Sequence, residues 1–189
     1  MRMTDKISML YYNMGLEFLR EDKVQDALSV LKKAVSLKDT SVEAWNLLGL
    51  CYYKLLKFEM ARYCWNESLK VDSCDNKANE YIELFQPFYE KVKKDISEID
   101  SLVLQKRYKE ADNKFQNSVL KQKFSDCAEV ANYEGILKKL SGGRDLAIAL
   151  WKSVLKSEDK SSVYAVRYLA DEMQRKGLLQ RIFYKIFKR

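Results

Sequence analysis

The sequence contains no histidine, one proline and six glycines in 189 residues. Without histidine there is no histidine general base, no Ser-His or Cys-His nucleophile pair, and no metal site built on imidazole. So few prolines and glycines also argue against an all-β fold, which needs a turn about every 8 to 12 residues. We therefore expect an all-α protein that is not an enzyme and has neither a cofactor nor a metal.

The four cysteines, Cys51, Cys64, Cys74 and Cys127, include no CxxC pair. With no histidine to complete a zinc set, we interpret them mainly as small hydrophobic residues in a reducing compartment. The sequence also lacks a continuous apolar run of 18 residues and an N-terminal secretory signal. These absences predict a cytoplasmic protein without a membrane span.

The formal net charge of +7 is concentrated at the C-terminus. Residues 174–189 hold six basic residues and no acid, and the remainder has 28 basic against 27 acidic residues. A nearly neutral body cannot follow a phosphate backbone along its length, which argues against nucleic acid as a partner.

Glycine, alanine and a large apolar residue recur with fixed spacing. Alanine follows glycine by twelve residues and the apolar residue follows by another four, as in Gly15–Ala27–Leu31, Gly49–Ala61–Trp65 and Gly135–Ala147–Trp151. A copy without glycine has Ala111 and Phe115. Small residues allow two helices to approach closely, and a bulky residue one turn later fills the space between pairs. The unit is therefore a pair of helices.

The first two copies are separated by 34 residues, and about 16 residues are inserted before the next copy. The insertion contains Pro87, which predicts that the helix breaks or kinks there. Thr40 and Glu43 predict a capping box at the start of the third helix. Helices are predicted at residues 7–20, 24–37, 42–55, 58–71, 76–86, 88–105, 108–121, 126–139, 144–157, 161–176 and 178–188.

The stretch from Leu10 to Leu69, above all WNLLGLCYYKLLKFEMARYCWNESLKVD, resembles the tetratricopeptide repeat (TPR). Residues 131–159 resemble it less strongly, and the segment around Ala111 is degenerate. The arrangement is similar to bacterial TPR proteins of unassigned role. The resemblance implies an all-α, TPR-like helical-hairpin solenoid with an inserted helix and a C-terminal amphipathic helix. Its predicted parts are two regular repeats (8–74), connecting helices (75–105), two weaker repeats with a terminal helix (106–176) and a basic tail (177–189).

In that family the first helix of each pair lines a concave face that binds another protein. The resemblance places eight residues of this chain there: Tyr12, Leu16, Leu19, Asn46, Leu50, Tyr53, Asn132 and Ile136. An asparagine on such a face can pair with the backbone of an extended peptide, and the apolar residues can take its side chains. A solvated asparagine without a ligand is the alternative. The resemblance thus implies an adaptor that binds a peptide or a helix of a partner protein.

The C-terminal tail has the pattern of a basic amphipathic helix. Its apolar stripe consists of Leu178, Leu179, Ile182, Phe183, Ile186 and Phe187, with Arg181 and Lys185 among the cations on other sides. Such a helix is typical of reversible binding to an anionic membrane or an acidic partner. The alternative is the second helix of a terminal repeat. A peripheral membrane adaptor is therefore the second functional hypothesis.

Overall fold

The computed structural model describes residues 2–156 and 162–174, and the described residues form helices and turns without a strand. This confirms the predicted all-α class. The helices are α1 (Met3–Arg20), α2 (Val24–Leu37), α3 (Val42–Lys54), α4 (Phe58–Val71), α5 (Ala78–Leu104), α6 (Tyr108–Gln116), α7 (Val119–Lys123), α8 (Ala128–Leu140), α9 (Arg144–Lys156) and α10 (Ser162–Gln174).

The chain divides into two compact units, unit 1 (Met1–Tyr89) and unit 2 (Glu90–Arg189). Unit 1 holds the hairpins α1–α2 and α3–α4 and the first part of α5. Unit 2 holds the rest of α5, the short helices α6 and α7, the hairpin α8–α9, and α10. The sequence-based boundaries at residues 74, 105 and 176 remain a prediction.

The glycine and alanine pattern corresponds to close helix crossings inside the hairpins. In unit 1, a Cβ atom added to Gly15 would come within 3 Å of Leu31, and one added to Gly49 would come within 3 Å of Trp65. Ala27, one turn before Leu31, is fully buried. The helix pairs therefore cross where the spacing predicted.

Unit 2 repeats the same packing. The indole of Trp151 lies against Gly135, and the Trp151 side chain is fully buried. Ala111 and Phe115 of the copy without glycine are also fully buried. The core of this unit consequently keeps the repeat register even where the sequence has lost the glycine.

The predicted break at Pro87 is wrong, because α5 continues through the proline as one helix of 27 residues. Phe85 and Tyr89, on either side of Pro87, are buried and both contact Phe58 of α4. Pro87 itself is exposed. Water can therefore hydrogen-bond to the backbone carbonyl one turn earlier, which receives no N–H from a proline. Aromatic packing thus outweighs the local cost of the proline.

Two local predictions also differ from the structure. The cap of α3 is Ser41, whose Oγ accepts a hydrogen bond from the Ala44 N–H at 3.3 Å, so the prediction for Thr40 is one residue early. The helix predicted at 108–121 is two helices, because α6 ends at Gln116 and Ser118 caps α7 by accepting a hydrogen bond from the Lys121 N–H at 3.2 Å. A polar residue that pairs with a free N–H begins a helix at both positions.

Four hairpin turns share one backbone feature. Asp22, Leu56, Lys106 and Gly142 each have a positive φ, of 56°, 56°, 60° and 99° respectively. Each lies between the two helices of a pair. Only glycine adopts this conformation without steric cost, so three of the four turns hold a strained residue.

Candidate functional site

The first helices of the repeats in unit 1 bring their side chains together on one face. Tyr12 of α1 lies close enough to Glu43 of α3 and Tyr81 of α5 for both to affect its ionisation. Burial is the largest cause that raises the Tyr12 pKa above its usual value, followed by the negative charge of Glu43 and by Tyr81. The Tyr12 hydroxyl is therefore a neutral hydrogen-bonding group at physiological pH.

We call this surface the unit 1 face. We define it by the residues that the repeat register assigns to one side of the first helices: Met9, Tyr12, Leu16, Leu19, Leu50, Tyr53 and Leu84. Leu16, Leu19 and Leu50 are half-buried, so each has apolar surface both packed in the unit and open to solvent.

A pocket of about 280 Å³ opens at the N-terminal end of α1 and α3. It is lined by Asp5, Ser8, Met9, Tyr12, Lys38, Ser41 and Glu43. Met9 is 58% exposed and gives the pocket an apolar wall, while Glu43 and Asp5 supply carboxylates. The pocket can thus receive a side chain that has both an apolar stem and a polar end.

Tyr53 belongs to an aromatic cluster in which α3, α4 and α5 meet. Its ring centroid lies 5.8 Å from that of Phe58, 6.0 Å from that of Phe85 and 6.2 Å from that of Phe88. The side chain remains partly exposed. Tyr53 therefore stabilises the packing of α5 in addition to lining the surface.

Leu84 belongs to this face by the repeat register, and the sequence analysis missed it. It lies on α5 three residues after Tyr81, and its side chain is 78% exposed. Adding one repeat of 34 residues to Leu50 gives Leu84, so the signal was present in the sequence. It was missed because the segment was interpreted as an insertion that interrupts the repeats.

Asn46 is an internal residue of unit 1. Its side chain is 9% exposed, and Nδ2 donates a hydrogen bond to Oδ1 of Asn76 at 2.9 Å. Asn76 also donates to Ser68 Oγ at 3.0 Å and accepts from the Ala78 N–H at 2.9 Å, at the start of α5. Asn46 thus helps to fix the start of α5, and only its Oδ1 has no partner among the described residues.

Asn132 occupies the equivalent position in unit 2, but its surroundings differ. It is 6% exposed, and neither Nδ2 nor Oδ1 has a hydrogen-bond partner in the part of the chain that the structure describes. The counterpart of Ser68 is Val154, whose side chain has no hydrogen-bonding group. The counterpart of Asn76 is Ser162, whose side chain lies outside the described residues. The two asparagines are therefore equivalent in sequence and different in structure.

Ile136 lies one turn after Asn132 on α8 and is partly buried against the core of α9 and α10. That core includes Trp151, Val154 and Leu169. Ile136 therefore contributes to packing within unit 2 and leaves only part of its surface open.

A buried polar network joins α6, α7 and α8 in unit 2. Lys138 Nζ lies 2.8 Å from Asp112 Oδ2, and Lys121 Nζ lies 2.6 Å from Glu134 Oε2. Gln116 Nε2 donates to both carboxylates, at 3.2 Å and 3.0 Å. Each buried carboxylate thus has a cation and a hydrogen-bond donor, which makes the network a packing element.

A second ion-pair cluster holds α10 to the hairpin α8–α9. The buried Glu172 carboxylate lies 2.6 Å from Lys139 Nζ and 2.5 Å from Arg144 Nε. The hydrogen bond from Lys139, with smaller contributions from its charge and from Arg144, lowers the pKa of Glu172 below its usual value. Glu172 is therefore ionised at neutral pH and stabilises the docking of α10.

Three of the cysteine thiols are kept protonated. Burial raises the pKa of Cys51, Cys64 and Cys127 to about 12, and at Cys127 the neighbouring Glu129 adds to the effect. Since the thiolate is the reactive form, these three are poor nucleophiles. For Cys51 and Cys64 this agrees with their interpretation as small buried residues, whereas Cys127 is partly exposed.

The predicted tail interface, residues 178 to 189 with its apolar stripe and cations, lies outside the described residues. Among the helices that the structure describes, none combines the length and apolar character needed to cross a bilayer.

A family model described as tetratricopeptide repeat matches residues 42–73, which cover α3 and α4. No curated protein matches the chain. The crystal structure of the P58(IPK) TPR domain matches it with a TM-score of 0.58 at 22% identity, and the match covers 96% of this chain and 57% of that one. The chain thus spans little more than half of that domain, and the likeness shows a shared fold.

Two other solved structures are similar over most of their length at lower TM-scores. PilF of Pseudomonas aeruginosa is 18% identical with a TM-score of 0.40, and the match covers 98% of this chain and 77% of that one. MamA of Desulfovibrio magneticus RS-1, from residue 41, is 16% identical with a TM-score of 0.37, and the match covers 92% and 87%.

Proposed function

Since residues 42–73 match the tetratricopeptide repeat and the chain shares the fold of a solved TPR domain, we propose that it is a non-catalytic adaptor that binds a peptide or a helix of a partner protein. The binding surface is the unit 1 face. The observation that supports this most directly is the exposed apolar side chain of Leu84, on the same helix as Tyr81, which approaches Tyr12.

The chemistry of the face selects the ligand. Leu16, Leu50 and Leu84 offer apolar surface that is only partly covered, which favours a segment with apolar side chains at regular spacing. Tyr12 and Glu43 supply a donor and a carboxylate at one end of the same face. The ligand is thus an apolar segment whose polar end meets the pocket beside Tyr12.

Asn46 takes a smaller part in this proposal than the sequence suggests. Its Nδ2 is held by Asn76, so only Oδ1 has hydrogen-bonding capacity left, and that atom is sealed from solvent. In unit 2, Asn132 keeps both polar atoms free of partners in the described chain, but they too are sealed. A ligand can form a hydrogen bond with the side chain of Asn46 or Asn132 only if that side chain rotates outward.

The test is a selection of displayed peptides on the purified chain, followed by measurement of the affinity of the selected peptide. Leu16→Arg and Leu84→Arg should each lower this affinity at least about tenfold, because each buries a charge in the apolar contact. Leu146→Arg is the matched control, since Leu146 is 60% exposed but lies on α9 in unit 2.

Circular dichroism of each variant shows whether the fold is intact. Equal affinity of the wild-type chain and a folded Leu84→Arg variant would contradict binding on the unit 1 face. Loss of affinity in Leu146→Arg alone would move the binding surface to unit 2.

The second candidate function is a peripheral membrane adaptor, which is supported by the apolar stripe and the cations of the tail. A chain that ends at residue 177 and the full chain are compared by sedimentation with anionic vesicles at low and high salt. Salt-sensitive binding that requires the tail would support a peripheral membrane adaptor. Equal behaviour of the two chains would refute it.

A further inference from the structure

Helix α1 has a second apolar surface, which is separate from the unit 1 face. Met3, Ile7, Leu10, Met14 and Phe18 recur at intervals of three and four residues and form the edge stripe. Met3 is 77% exposed and Leu10 is 58% exposed, while Met14 and Phe18 are partly buried. At 100° per residue, the edge stripe lies on roughly the opposite side of α1 from Met9 and Leu16.

The contacts of α1 explain why the edge stripe is uncovered. The helix packs on α2 through Ser8, whose Oγ donates to the Ala34 carbonyl at 2.9 Å, and through Gly15, which lies against Leu31. This contact uses a different side of the helix. An apolar row along a whole helix costs free energy in water, so it is typical of a surface that binds another helix.

The charges beside the edge stripe indicate what that helix is. Lys6 and Glu17 are eleven residues apart, which places them on the same flank of α1 and about 16 Å from each other along its axis. Both are exposed, and neither has an ion-pair partner among the described residues. The flank therefore carries a cation near one end of the stripe and an anion near the other.

We propose that the edge stripe binds the edge stripe of a second copy of this chain, with the two α1 helices antiparallel. In that arrangement Lys6 of each copy faces Glu17 of the other. Both ion pairs form at once, because a twofold axis exchanges the two copies. The axis passes near the midpoint of the two charges, beside Leu10, so Ile7 of one copy approaches Met14 and Phe18 of the other.

The size of the surface sets the strength of the dimer. One helix face buries less than the roughly 800 Å² per partner of a standard interface, so the dimer should be weak, with a dissociation constant in the micromolar range. It forms on a side of α1 that the unit 1 face does not use. The inference is thus independent of the proposed function.

Sedimentation equilibrium of the full chain over a concentration series, up to about 0.2 mM, measures the dimer directly. Leu10→Glu should raise the dissociation constant at least about tenfold, because it places two like charges at the centre of the contact. Leu146→Glu, which makes the same change at an exposed leucine of unit 2, should leave it unchanged.

Charge reversal distinguishes a second copy from any other occupant. Lys6→Glu alone and Glu17→Lys alone should each weaken the dimer, because each turns two attractive pairs into two repulsive pairs. The double variant Lys6→Glu with Glu17→Lys should restore it to within about threefold of the wild type, since the pairs are re-formed with opposite sign.

A wild-type chain that stays monomeric throughout the series would overturn the proposal. If that monomer sediments with lipid vesicles and the Leu10→Glu variant does not, the edge stripe is a lipid-binding surface instead. A dimer in which the double variant is as weak as the single variants would overturn the antiparallel arrangement.

Discussion

The indole of Trp65 lies so close to Gly49 that a Cβ atom at residue 49 would come within 3 Å of the ring. The Trp65 N–H donates a hydrogen bond to the Asn46 carbonyl oxygen at 3.3 Å, and Trp151 makes the same contact with the Asn132 carbonyl at 3.4 Å. The glycine and the tryptophan are thus two halves of one contact. The contact fixes how the two helices of a pair cross.

Replacing Trp65 or Trp151 with alanine should lower the free energy of unfolding by about 3 to 5 kcal/mol, because each side chain is 2% exposed or less and its loss leaves a cavity. Chemical denaturation followed by circular dichroism gives the value. Trp45→Ala serves as the control. Trp45 is only half-buried, so its replacement should lower the free energy of unfolding by less. An unchanged midpoint for Trp65→Ala would refute the packing between α3 and α4.

Replacing Asn132 with leucine should raise the free energy of unfolding by about 1 to 3 kcal/mol, since a buried amide without partners costs about that much. The same change at Asn46 should lower it, because it leaves the Asn76 carboxamide without one of its partners. Thermal melts of both variants provide the comparison. Because the two variants are expected to change stability in opposite directions, each serves as the control for the other. A destabilised Asn132→Leu variant would contradict the prediction.

The ion pairs of Glu172 predict a pH-dependent stability of unit 2. The folded-state pKa is lowered, so the stabilisation is fully present above the unfolded pKa of about 4.3 and is lost as the pH falls through the folded value. Glu172→Gln should therefore lower the melting temperature at pH 7 and have a much smaller effect near pH 3. Melts at the two pH values test this, with Glu21→Gln, an exposed residue of unit 1, as the control. The same loss at both pH values would show that the charge of Glu172 is unimportant.

Replacing Lys106 with glycine should stabilise the chain by about 0.5 to 1 kcal/mol. Lys106 is exposed and has a φ of 60°, so glycine removes steric strain without removing buried surface, although the added freedom of the unfolded chain offsets part of the gain. Lys109→Gly, in the first turn of α6, should instead destabilise by up to about 1 kcal/mol. Denaturant unfolding measures both, and a less stable Lys106→Gly variant would exclude strain at this turn.

Much of unit 1 could be predicted from the sequence. The twelve-residue interval from glycine to alanine and the bulky residue four positions later identified the helix pairs, and the bounds of α2 and α4 agree with the prediction. These features are local, since they depend on helical periodicity within about 20 residues. The cap of α3 was missed by one residue, because Thr40 and Ser41 have similar capping preferences and only the backbone conformation distinguishes them.

The sequence by itself therefore determined the fold class and the crossings at Gly49 and Gly135. The tertiary structure decided what those positions do. Asn46 and Asn132 are equivalent in every local pattern, yet Asn46 is held by Asn76, 30 residues away, while Asn132 has no such partner in the described chain. Pro87 stays within α5 because aromatic contacts with α4 outweigh a local rule. Hydrogen bonds and packing between distant residues leave no periodic signal in the sequence, so only the folded chain reveals them.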